Sequence, residues 1–400
     1  MNVFVYDSLR TVRGKGTNEG SLMGTPPVEL GRQVINQMVV KNNLKTNYID
    51  DLIFGCVTQI GDQGSNIAKA CIDISLIGSQ CGGVTLNRFC GSGLEAINQG
   101  VAYVKSGYKN MVLAGGVESM SRVPMSSDGG AYLLDPKLTL DGFLLPQGVA
   151  ADVIATKYNV LRHDLDQYAV LSHERALKAR ESKDSRISRI PIKDVNGFNV
   201  LETDEIVRNT TIEDLKNLPP SFELHGKKMG FDSTAFAKYS ELNEVNHLHH
   251  AGNSSALADG ASVTLLGNAK LGKIQNIKPK AKIKAMALVG SDPTLMLTGV
   301  VPATIKVLKQ AKMKISDIDL FEVNEAFAVV PLYFMEQLNV PISKVNVYGG
   351  SIALGHPLGA TGSVLFSTLI DALHHSDKNI GLVTLCMGGG MGIATIVERL

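Results

Sequence analysis

A weak internal repeat limits the possible folds of this chain more than any other feature of its sequence. The segment Ile49–Phe54 resembles Ile315–Leu320, and a Lys-Asn pair precedes a predicted strand both at Lys109-Asn110 and at Lys378-Asn379. The similarity is slight residue by residue, but both copies follow the same order of strand, turn and helix. Such a repeat predicts two similar α/β halves packed face to face.

The repeat also relates two residues with reactive side chains. Cys90 lies 39 residues after Asp51, and His356 lies 39 residues after Asp317. Each stands in a glycine-containing turn that leads into a helical pattern. We therefore expect Cys90 and His356 at equivalent helix entrances, where pseudo-twofold packing of the halves could bring the two side chains together.

Short β-branched runs alternate with helical patterns in the first 120 residues. Ile53–Val57 and Met111–Ala114 are typical of buried strands, and Leu94–Val104 has apolar residues at helical spacing. Alternation of this kind predicts a mostly parallel sheet with both faces covered. The fold class is therefore α/β.

Changes in composition divide the chain into four predicted parts. Residues 1–119 form an N-terminal half, and residues 120–250, richer in charged and turn residues, form an inserted excursion. Residues 251–272 return to complete the N-terminal half, and residues 273–400 form the C-terminal half.

The charge and the cysteines argue against several classes of protein. A net charge of +1 argues against nucleic acid or an anionic membrane surface as the main partner. Five irregularly spaced cysteines indicate neither a disulfide framework nor a zinc site, so reduced thiols in the cytoplasm are expected. No signal peptide is recognised, and no apolar run approaches the roughly 20 residues of a membrane-spanning helix. We expect a soluble, cytoplasmic protein.

Cys90 is the first candidate for a nucleophile. It precedes Gly91-Ser92-Gly93 at the predicted start of a helix. Backbone N–H groups at a helix N-terminus stabilise a thiolate, and small residues after the cysteine leave room for a substrate. A buried, inert thiol is the alternative, and the segment alone favours the reactive interpretation only slightly. Cys56, Cys71 and Cys81 lack this setting and are predicted to pack in the core.

His356 is held between Gly355 and Pro357, which restricts its backbone. A histidine fixed in this way can act as a general base or a hydrogen-bond donor near neutral pH. A single histidine is more often structural. The many glycines around it and its repeat relation to Cys90 favour a functional role here.

Cys386 follows the apolar run Ile380–Leu385 and opens a loop that contains Gly388. Exposed backbone N–H groups in such a loop can form an oxyanion hole. A phosphate-binding loop is the alternative, but the Gly-Lys-Ser/Thr ending of a nucleotide P-loop is missing. Asn324 follows the predicted strand Leu320–Val323, where its amide could orient a water or cap a helix.

Three histidines, His247, His249 and His250, raise the question of a metal site. No acidic or cysteine ligand stands at ligand spacing beside them. We therefore expect no metal.

Taken together, these segments resemble the thiolase family. The resemblance covers essentially the whole chain, and four motifs in the right order make it specific. The matching segments are Asn87–Glu95 around Cys90, Asn324–Phe327, Gly355–Gly362 and Cys386–Gly392, with Gly115–Ser121 and Ala251–Ser255 in support.

The resemblance implies a thiolase fold, with two βαβαβαββ halves in a five-layer arrangement and a loop domain that binds coenzyme A. Cys90 would attack an acyl-CoA and become acylated. His356 would take up the thiol proton, and Cys386 would exchange the α-proton of acetyl-CoA. The N–H groups of Cys90 and Gly388 would bind the acyl-enzyme oxygen. His356 and a water held by Asn324 would bind the enolate oxygen.

The same resemblance implies substrate contacts from Ser255, Gly252, Met296 and Phe327. Coenzyme A would be a substrate and not a resident cofactor. A homodimer or homotetramer is expected, and a separate β-oxidation partner chain is conceivable.

The sequence departs from the family pattern in the excursion. Gln147 stands where short-chain biosynthetic members usually have methionine in the acyl pocket, Pro219 stands where some members have arginine near the CoA phosphate, and Phe222–His250 is longer than in many relatives. Acyl chain length, reaction direction and the binding of the CoA phosphates therefore stay open.

Two alternatives use the same fold. A β-ketoacyl synthase would pair the cysteine nucleophile with two histidines, whereas this chain has Cys386 at the third position and an Asn-Glu-Ala-Phe motif. A non-catalytic acyl-CoA-binding protein would be expected to lack at least one of the four motif residues, and all four are present.

Overall fold

The structure is a computed structural model and describes residues 2–181 and 188–400. The strands are β1 (Phe4–Thr11), β2 (Gly14–Lys15), β3 (Asp51–Gly55), β4 (Gly82–Leu86), β5 (Met111–Ser119), β6 (Arg189–Ile190), β7 (Ile192–Lys193), β8 (Asn199–Leu201), β9 (Ala258–Gly267), β10 (Ala281–Gly290), β11 (Leu320–Val323), β12 (Ile380–Met387) and β13 (Met391–Arg399). The helices are α1 (Pro27–Lys41), α2 (Ile67–Asp73), α3 (Ser92–Ser106), α4 (Ala131–Leu134), α5 (Pro136–Gly142), α6 (Gln147–Lys157), α7 (Arg162–Glu181), α8 (Ile212–Lys216), α9 (Phe231–Lys238), α10 (Ala269–Gln275), α11 (Val300–Ala311), α12 (Val329–Leu338), α13 (Ser351–Leu354) and α14 (Leu358–His375).

Two half-sheets join into one path of strands. The N-terminal half has the order β4-β3-β5-β9-β1, and the C-terminal half has the order β10-β13-β12-β11. They meet where Phe4 and Val5 of β1 pair antiparallel with Lys282 and Ala281 of β10. The expected duplication is therefore visible as two similar half-sheets.

The prediction of a mostly parallel sheet is wrong. β3 pairs in parallel with β4 and β5, and β11 pairs in parallel with β12. The remaining long pairings, which involve β9, β10 and β13, are antiparallel. Parallel pairs need a crossover such as a helix, whereas β12 and β13 form a hairpin that needs only a short glycine turn.

The helices form three layers around the two half-sheets. One apolar core packs α1 and α2 on the outer face of the N-terminal half, and another packs α11 and α12 outside the C-terminal half. A third core, which includes Leu94, Ile97, Phe366 and Leu369, places α3 and α14 between the halves. This is the five-layer thiolase arrangement that the resemblance implies.

Hydrogen bonds fix the register of the repeat. Asp50 Oδ2 accepts from the backbone N–H groups of Asn110 and Met111, and Asp319 Oδ2 accepts from those of Asn379 and Ile380. Asp50 is thus equivalent to Asp319, a shift of 269 residues. The sequence alignment, which paired Asp51 with Asp317, is three residues out of register at the strands.

The helix entrances are nevertheless aligned as expected. Gly91 precedes the first residue of α3, and Pro357 precedes the first residue of α14. Cys90 and His356 are the residues immediately before these two positions. The two helix starts are 266 residues apart, whereas the strands that follow them, β5 and β12, are 269 residues apart. α14 has 18 residues and α3 has 15, and the three additional residues of α14 account for this difference.

The excursion leaves and re-enters the sheet at neighbouring points. Ser119, the last residue of β5, pairs with Asp259 of β9. The intervening chain contributes β6, which pairs with β1, and α7, whose Tyr168 and Ser172 hydroxyls donate to Glu325 of the C-terminal half. The four-part division at residues 119, 250 and 272 stays a prediction. Residues 182–187 of the excursion lie outside the described part of the chain.

One segment has the length and hydropathy of a membrane-spanning helix. Among the described residues, Pro136–Lys157 meets this criterion, which the sequence analysis did not anticipate. Half of its most apolar window is buried in the fold, and Phe143, in the left-handed conformation, ends α5 before α6 begins. Buried core helices commonly have this composition, so the segment is weak support for a membrane span.

We predict that Gly362→Ala destabilises the fold. A Cβ at Gly362 of α14 would lie 2.4 Å from the backbone nitrogen of Leu94 in α3, so the two central helices would have to separate. The free energy of unfolding, measured in urea, should fall by about 1–3 kcal/mol. In the matched control Gly142→Ala, the added Cβ meets no atom within 4 Å. Equal stability of the two variants would contradict the close helix crossing.

Candidate active site

Cys90 stands on a sharp turn between β4 and α3. The preceding residue, Phe89, has a φ of +47°, a left-handed conformation that is rare for a bulky residue. The Ser92 hydroxyl stabilises the turn, because it accepts from the Arg88 N–H at 2.8 Å and donates to the Phe89 carbonyl at 2.6 Å. Strained turns of this kind are typical of functional positions.

Cys90 is 6% exposed, and three hydrogen-bond donors lie near its sulfur. Burial raises its pKa to about 11, while hydrogen bonds from its own N–H, the Gln147 side chain and the Gly388 N–H act in the opposite direction. The pKa values of Cys71 and Cys81 are raised further, to about 12. Cys90 therefore has donors directed at a developing negative charge.

Cys386 belongs to the C-terminal half and lies near Cys90. It lies at the end of β12, and Gly389 and Gly390 turn the chain into β13 with φ values of +74° and +76°. A Cβ at Gly91 would lie 2.2 Å from Met387 Sδ, so the residue after Cys90 packs directly on the residue after Cys386. Burial, and next the charge that Cys90 would carry, raise the pKa of the Cys386 thiol.

His356 is 5% exposed and is oriented through both ring nitrogens. Its Nδ1 lies 2.6 Å from the Thr361 hydroxyl, and its Nε2 lies 3.5 Å from the amide nitrogen of Asn324. Burial, with the positive charge of Arg13 as the second cause, lowers the pKa of His356 to about 4. The imidazole is therefore neutral at pH 7. Leu358, two residues further on, packs in one apolar cluster with Cys90.

Asn324 and Glu325 hold the histidine turn from the end of β11. Asn324 is fully buried, and its Oδ1 accepts from the Ser351 hydroxyl at 2.7 Å. Glu325 accepts from the Ile352 N–H and from Tyr168 and Ser172 of α7. Asn324 thus faces His356, whereas Glu325 links the turn to the excursion.

Glu118, which lies in a family segment, received no separate role in the sequence analysis. It is fully buried at the end of β5. Its Oε2 accepts from the N–H groups of Val57 and Gly359 at 2.8 Å each, and its Oε1 accepts from the Thr58 N–H and the Gln63 amide. The carboxylate therefore ties the end of β3 to the first turn of α14. The sequence did contain one signal of a role for Glu118, because it is the only charged residue in the run Met111–Ser119.

The predicted substrate residues lie on segments that border this centre. The Ser255 N–H donates to the Ala326 carbonyl, two residues after Asn324. Phe327 is 7% exposed, and its ring contacts Phe222 and His249 of the excursion edge to face. Met296 is buried in the same core as Phe327, and the Gly252 N–H donates to the His250 ring at 3.0 Å.

The three neighbouring histidines have carboxylate partners that the spacing did not reveal. Asp152 accepts from the rings of His247 and His249, and Asp166 from that of His250. These acids come from α6 and α7, so the pairs connect the segment of the three histidines to both helices. Within residues 2–181 and 188–400, no group of three His, Cys, Asp or Glu is arranged to hold a metal ion.

Cys386 and the Gly388 N–H thus lie near Cys90, and Asn324 lies beside His356, whose neighbour Leu358 packs with Cys90. Comparison with known proteins identifies the family of the chain. The thiolase N-terminal domain model matches residues 3–235, and the thiolase C-terminal domain model matches residues 277–399. The chain belongs to the thiolase family. It is therefore an acyltransferase with the thiolase fold.

Similar proteins cover the chain from end to end. The 3-ketoacyl-CoA thiolase of Colwellia psychrerythraea is 37% identical over 406 residues, which span 99% of each chain. The 3-ketoacyl-CoA thiolase of Aeromonas salmonicida is 36% identical over 100% of this chain and 99% of its own. The crystal structure of the Bacillus anthracis acetyl-CoA acetyltransferase has a TM-score of 0.85 and 30% identity, and covers 100% of this chain and 99% of its own.

We predict that His356 makes stability fall as the pH falls. In the unfolded chain a histidine binds its proton near pH 6.5, whereas the folded His356 binds one only near pH 4. Between these values only the unfolded state is protonated, so folding loses free energy. The loss between pH 7 and 5, measured by urea unfolding, should be about 2 kcal/mol smaller in His356→Gln than in the unaltered protein. The exposed His163→Gln control should retain the full loss; equal losses in all three would contradict the prediction.

Proposed function

We propose that this thiolase catalyses the reversible, CoA-dependent cleavage of a 3-ketoacyl-CoA into acetyl-CoA and a shortened acyl-CoA. The reverse reaction is the Claisen condensation of an acyl-CoA with acetyl-CoA. The observation that carries the proposal is the buried thiol of Cys90, whose pKa is raised by burial but lowered by the nearby backbone N–H groups of Cys90 and Gly388, and which lies close to a second thiol, Cys386. The names of the bacterial relatives support a 3-ketoacyl-CoA substrate.

In cleavage, the Cys90 sulfur attacks the 3-keto carbon and its proton passes to His356. The bond between C2 and C3 then breaks, and Cys386 protonates C2 of the departing acetyl-CoA enolate. The acyl group stays on Cys90 as a thioester. A molecule of CoA next attacks this thioester, releases the shortened acyl-CoA and regenerates the thiol, so the kinetics are ping-pong.

The resting thiol and imidazole are both neutral, which fits this order of events. Burial keeps the Cys90 pKa at about 11 and the His356 pKa at about 4, so a resting ion pair between them is disfavoured. The proton therefore moves as the sulfur attacks. A neutral His356 is also free to accept that proton in the first step.

Two oxyanion holes would stabilise the charge that develops on oxygen. The N–H groups of Cys90 and Gly388 bind the oxygen of the acyl-enzyme. His356 and a water oriented by Asn324 bind the enolate oxygen of acetyl-CoA. Fixed donors in a buried site need no reorganisation during the reaction, and the loss of one donor typically costs on the order of 10²–10³ in rate.

We assign the substrate contacts to the border of the excursion. Ser255 and Gly252 would contact the pantetheine arm, and Met296 and Phe327 would line the acyl pocket. Coenzyme A acts as a substrate and is not retained as a cofactor. The contacts of Phe327 with Phe222 and His249 support a pocket that both the C-terminal half and the excursion line.

The wider setting follows from the same assignment. We propose a cytoplasmic enzyme of fatty acid β-oxidation that acts as a homodimer or homotetramer, with a multifunctional β-oxidation protein as a possible partner. Five unpaired cysteines support a reducing compartment. A β-ketoacyl synthase is the second candidate, and malonyl and acetyl thioesters offered in parallel would separate the two. A chain on which no thioester acylates Cys90 would instead be a non-catalytic acyl-CoA-binding protein.

We predict that the two thiols have separable roles. Incubation with acetyl-CoA should add one acetyl group to the protein, detected by intact mass and located on Cys90 by peptide mapping. Cys386→Ala should still be acylated, because its nucleophile is intact, but should lose carbon–carbon bond exchange by at least about 10³-fold. Cys90→Ser should lose both. Cys81→Ala, a change of a buried cysteine in another segment, is the matched control and should retain both.

Two outcomes would contradict these roles. Sustained turnover by Cys90→Ser would exclude the covalent mechanism, and failure of Cys386→Ala to be acylated would mean that the two thiols do not act in separate steps.

Turnover of 3-ketoacyl-CoAs of increasing length tests the acyl pocket. The Gln147 side chain lies near the sulfur of Cys90. Gln147→Met, which introduces the residue of the short-chain biosynthetic members, should therefore shift the acyl-chain preference towards short chains.

A further inference from the structure

Arg13 is almost completely buried, at 1% exposure, which is uncommon for an arginine. It lies between β1 and β2, far from the catalytic residues in sequence. Its Nη1 donates to the Gly355 carbonyl at 3.1 Å, and its backbone N–H donates to Asp204 Oδ1 at 2.9 Å. The side chain therefore ends at the turn that carries His356.

Both polar atoms of the peptide bond before His356 are held. The carbonyl oxygen of Gly355 accepts from Arg13, and the N–H of His356 donates to the Ala256 carbonyl at 2.8 Å. Gly355 has a φ of +91°, and a Cβ there would lie 2.6 Å from the Ala258 side chain. These two hydrogen bonds fix the plane of the peptide. They thereby also fix the direction in which the imidazole projects from the backbone.

The stem of Arg13 packs behind the same turn. A Cβ at Gly260 would lie 3.5 Å from Arg13 Cγ and 3.5 Å from Pro357 Cγ, so only the glycine backbone separates the two side chains. Arg13 therefore contacts the residue before His356 directly and approaches the residue after it.

The charge of Arg13 is only partly compensated. Asp204 is bound in a bidentate pair by Arg10 at 2.8 and 2.9 Å and also lies 3.6 Å from Arg189. Arg13 Nε is 3.7 Å from the same carboxylate. Three guanidinium groups therefore share one carboxylate. Burial lowers the pKa of Arg13 to about 9, so it stays charged at pH 7.

The groups around the side chains of Arg13 and His356 add little negative charge to oppose that of Arg13. The ring partners of His356, Thr361 and Asn324, are neutral. Glu322 also faces Arg13, but burial raises the pKa of this carboxyl well above its usual value. The positive charge of Arg13 thus acts on the imidazole and disfavours its protonated form.

We propose that Arg13 is a positioning residue for His356, because it holds the peptide that precedes the imidazole and places a buried positive charge behind it. The inference rests on the proposed role of His356 in taking up the Cys90 proton. It extends the site to a residue of the N-terminal strand and to the Arg10–Asp204 pair that anchors it.

The test is the pH dependence of Cys90 acylation by acetyl-CoA, followed by intact mass in single-turnover experiments. Arg13→Gln is neutral but can still donate to the Gly355 carbonyl, and Arg13→Lys keeps the charge. We expect the acid limb of the rate profile to move up by about one pH unit in Arg13→Gln and to stay in place in Arg13→Lys. Should Arg13→Gln not fold, Arg13→Met supplies the same loss of charge.

A matched control separates this effect from general destabilisation. Arg162 also donates to backbone carbonyls and to a carboxylate, Asp166, but within the excursion. Arg162→Met should lower the melting temperature without moving the acid limb. If the unaltered protein is acylated and neutral Arg13 variants keep its pH profile, the inference about Arg13 is wrong and the proposed function stands. If Cys90 of the unaltered protein is never acylated, the proposed function itself fails.

Discussion

The geometry of the site depends on the buried carboxylate of Glu118, which links the chain after β3 to the start of α14. It accepts two hydrogen bonds from the chain that follows β3, one from Gln63 and one from the Gly359 N–H at the start of α14. A carboxylate at a helix N-terminus is favoured by the helix dipole, and its four donors offset part of the cost of burial. Because His356 stands three residues before Gly359, this contact places the imidazole relative to the chain that follows β3, and β3 pairs with β4, the strand that leads to Cys90.

The chemistry depends on exclusion of water as much as on the residues themselves. Cys90, Cys386, His356 and Asn324 are each at most 6% exposed, so backbone dipoles and not solvent stabilise any charge that appears. Burial disfavours the thiolate and the imidazolium alike, and the donors at Cys90 and Gly388 act only when charge develops. In the proposed mechanism, a site of this kind lowers the barrier to attack by Cys90 while its resting thiols stay protonated.

Local sequence patterns single out the motif residues but not the residues that support them. Cys90, His356, Cys386 and Asn324 stand in glycine-rich or strand-end segments, which have a recognisable local form. Glu118 and Arg13 act through partners 241 and 342 positions away, and no local pattern encodes such contacts. The antiparallel pairing of β9 has no local signal for the same reason, since it depends on a long excursion, whereas the β12–β13 hairpin has one in the glycines 388–390. The repeat predicted equivalent helix entrances, although its strand register was three residues out.

The excursion begins and ends at cross-strand neighbours, Ser119 and Asp259. Insertions or deletions between these points leave the pairing of β5 with β9 unchanged, because the two anchor positions stay a single ladder step apart. Substrate range in such a protein can therefore diversify by changes within one contiguous stretch of gene, provided that Tyr168, Ser172 and Asp204 of this stretch keep their contacts with Glu325 and Arg13.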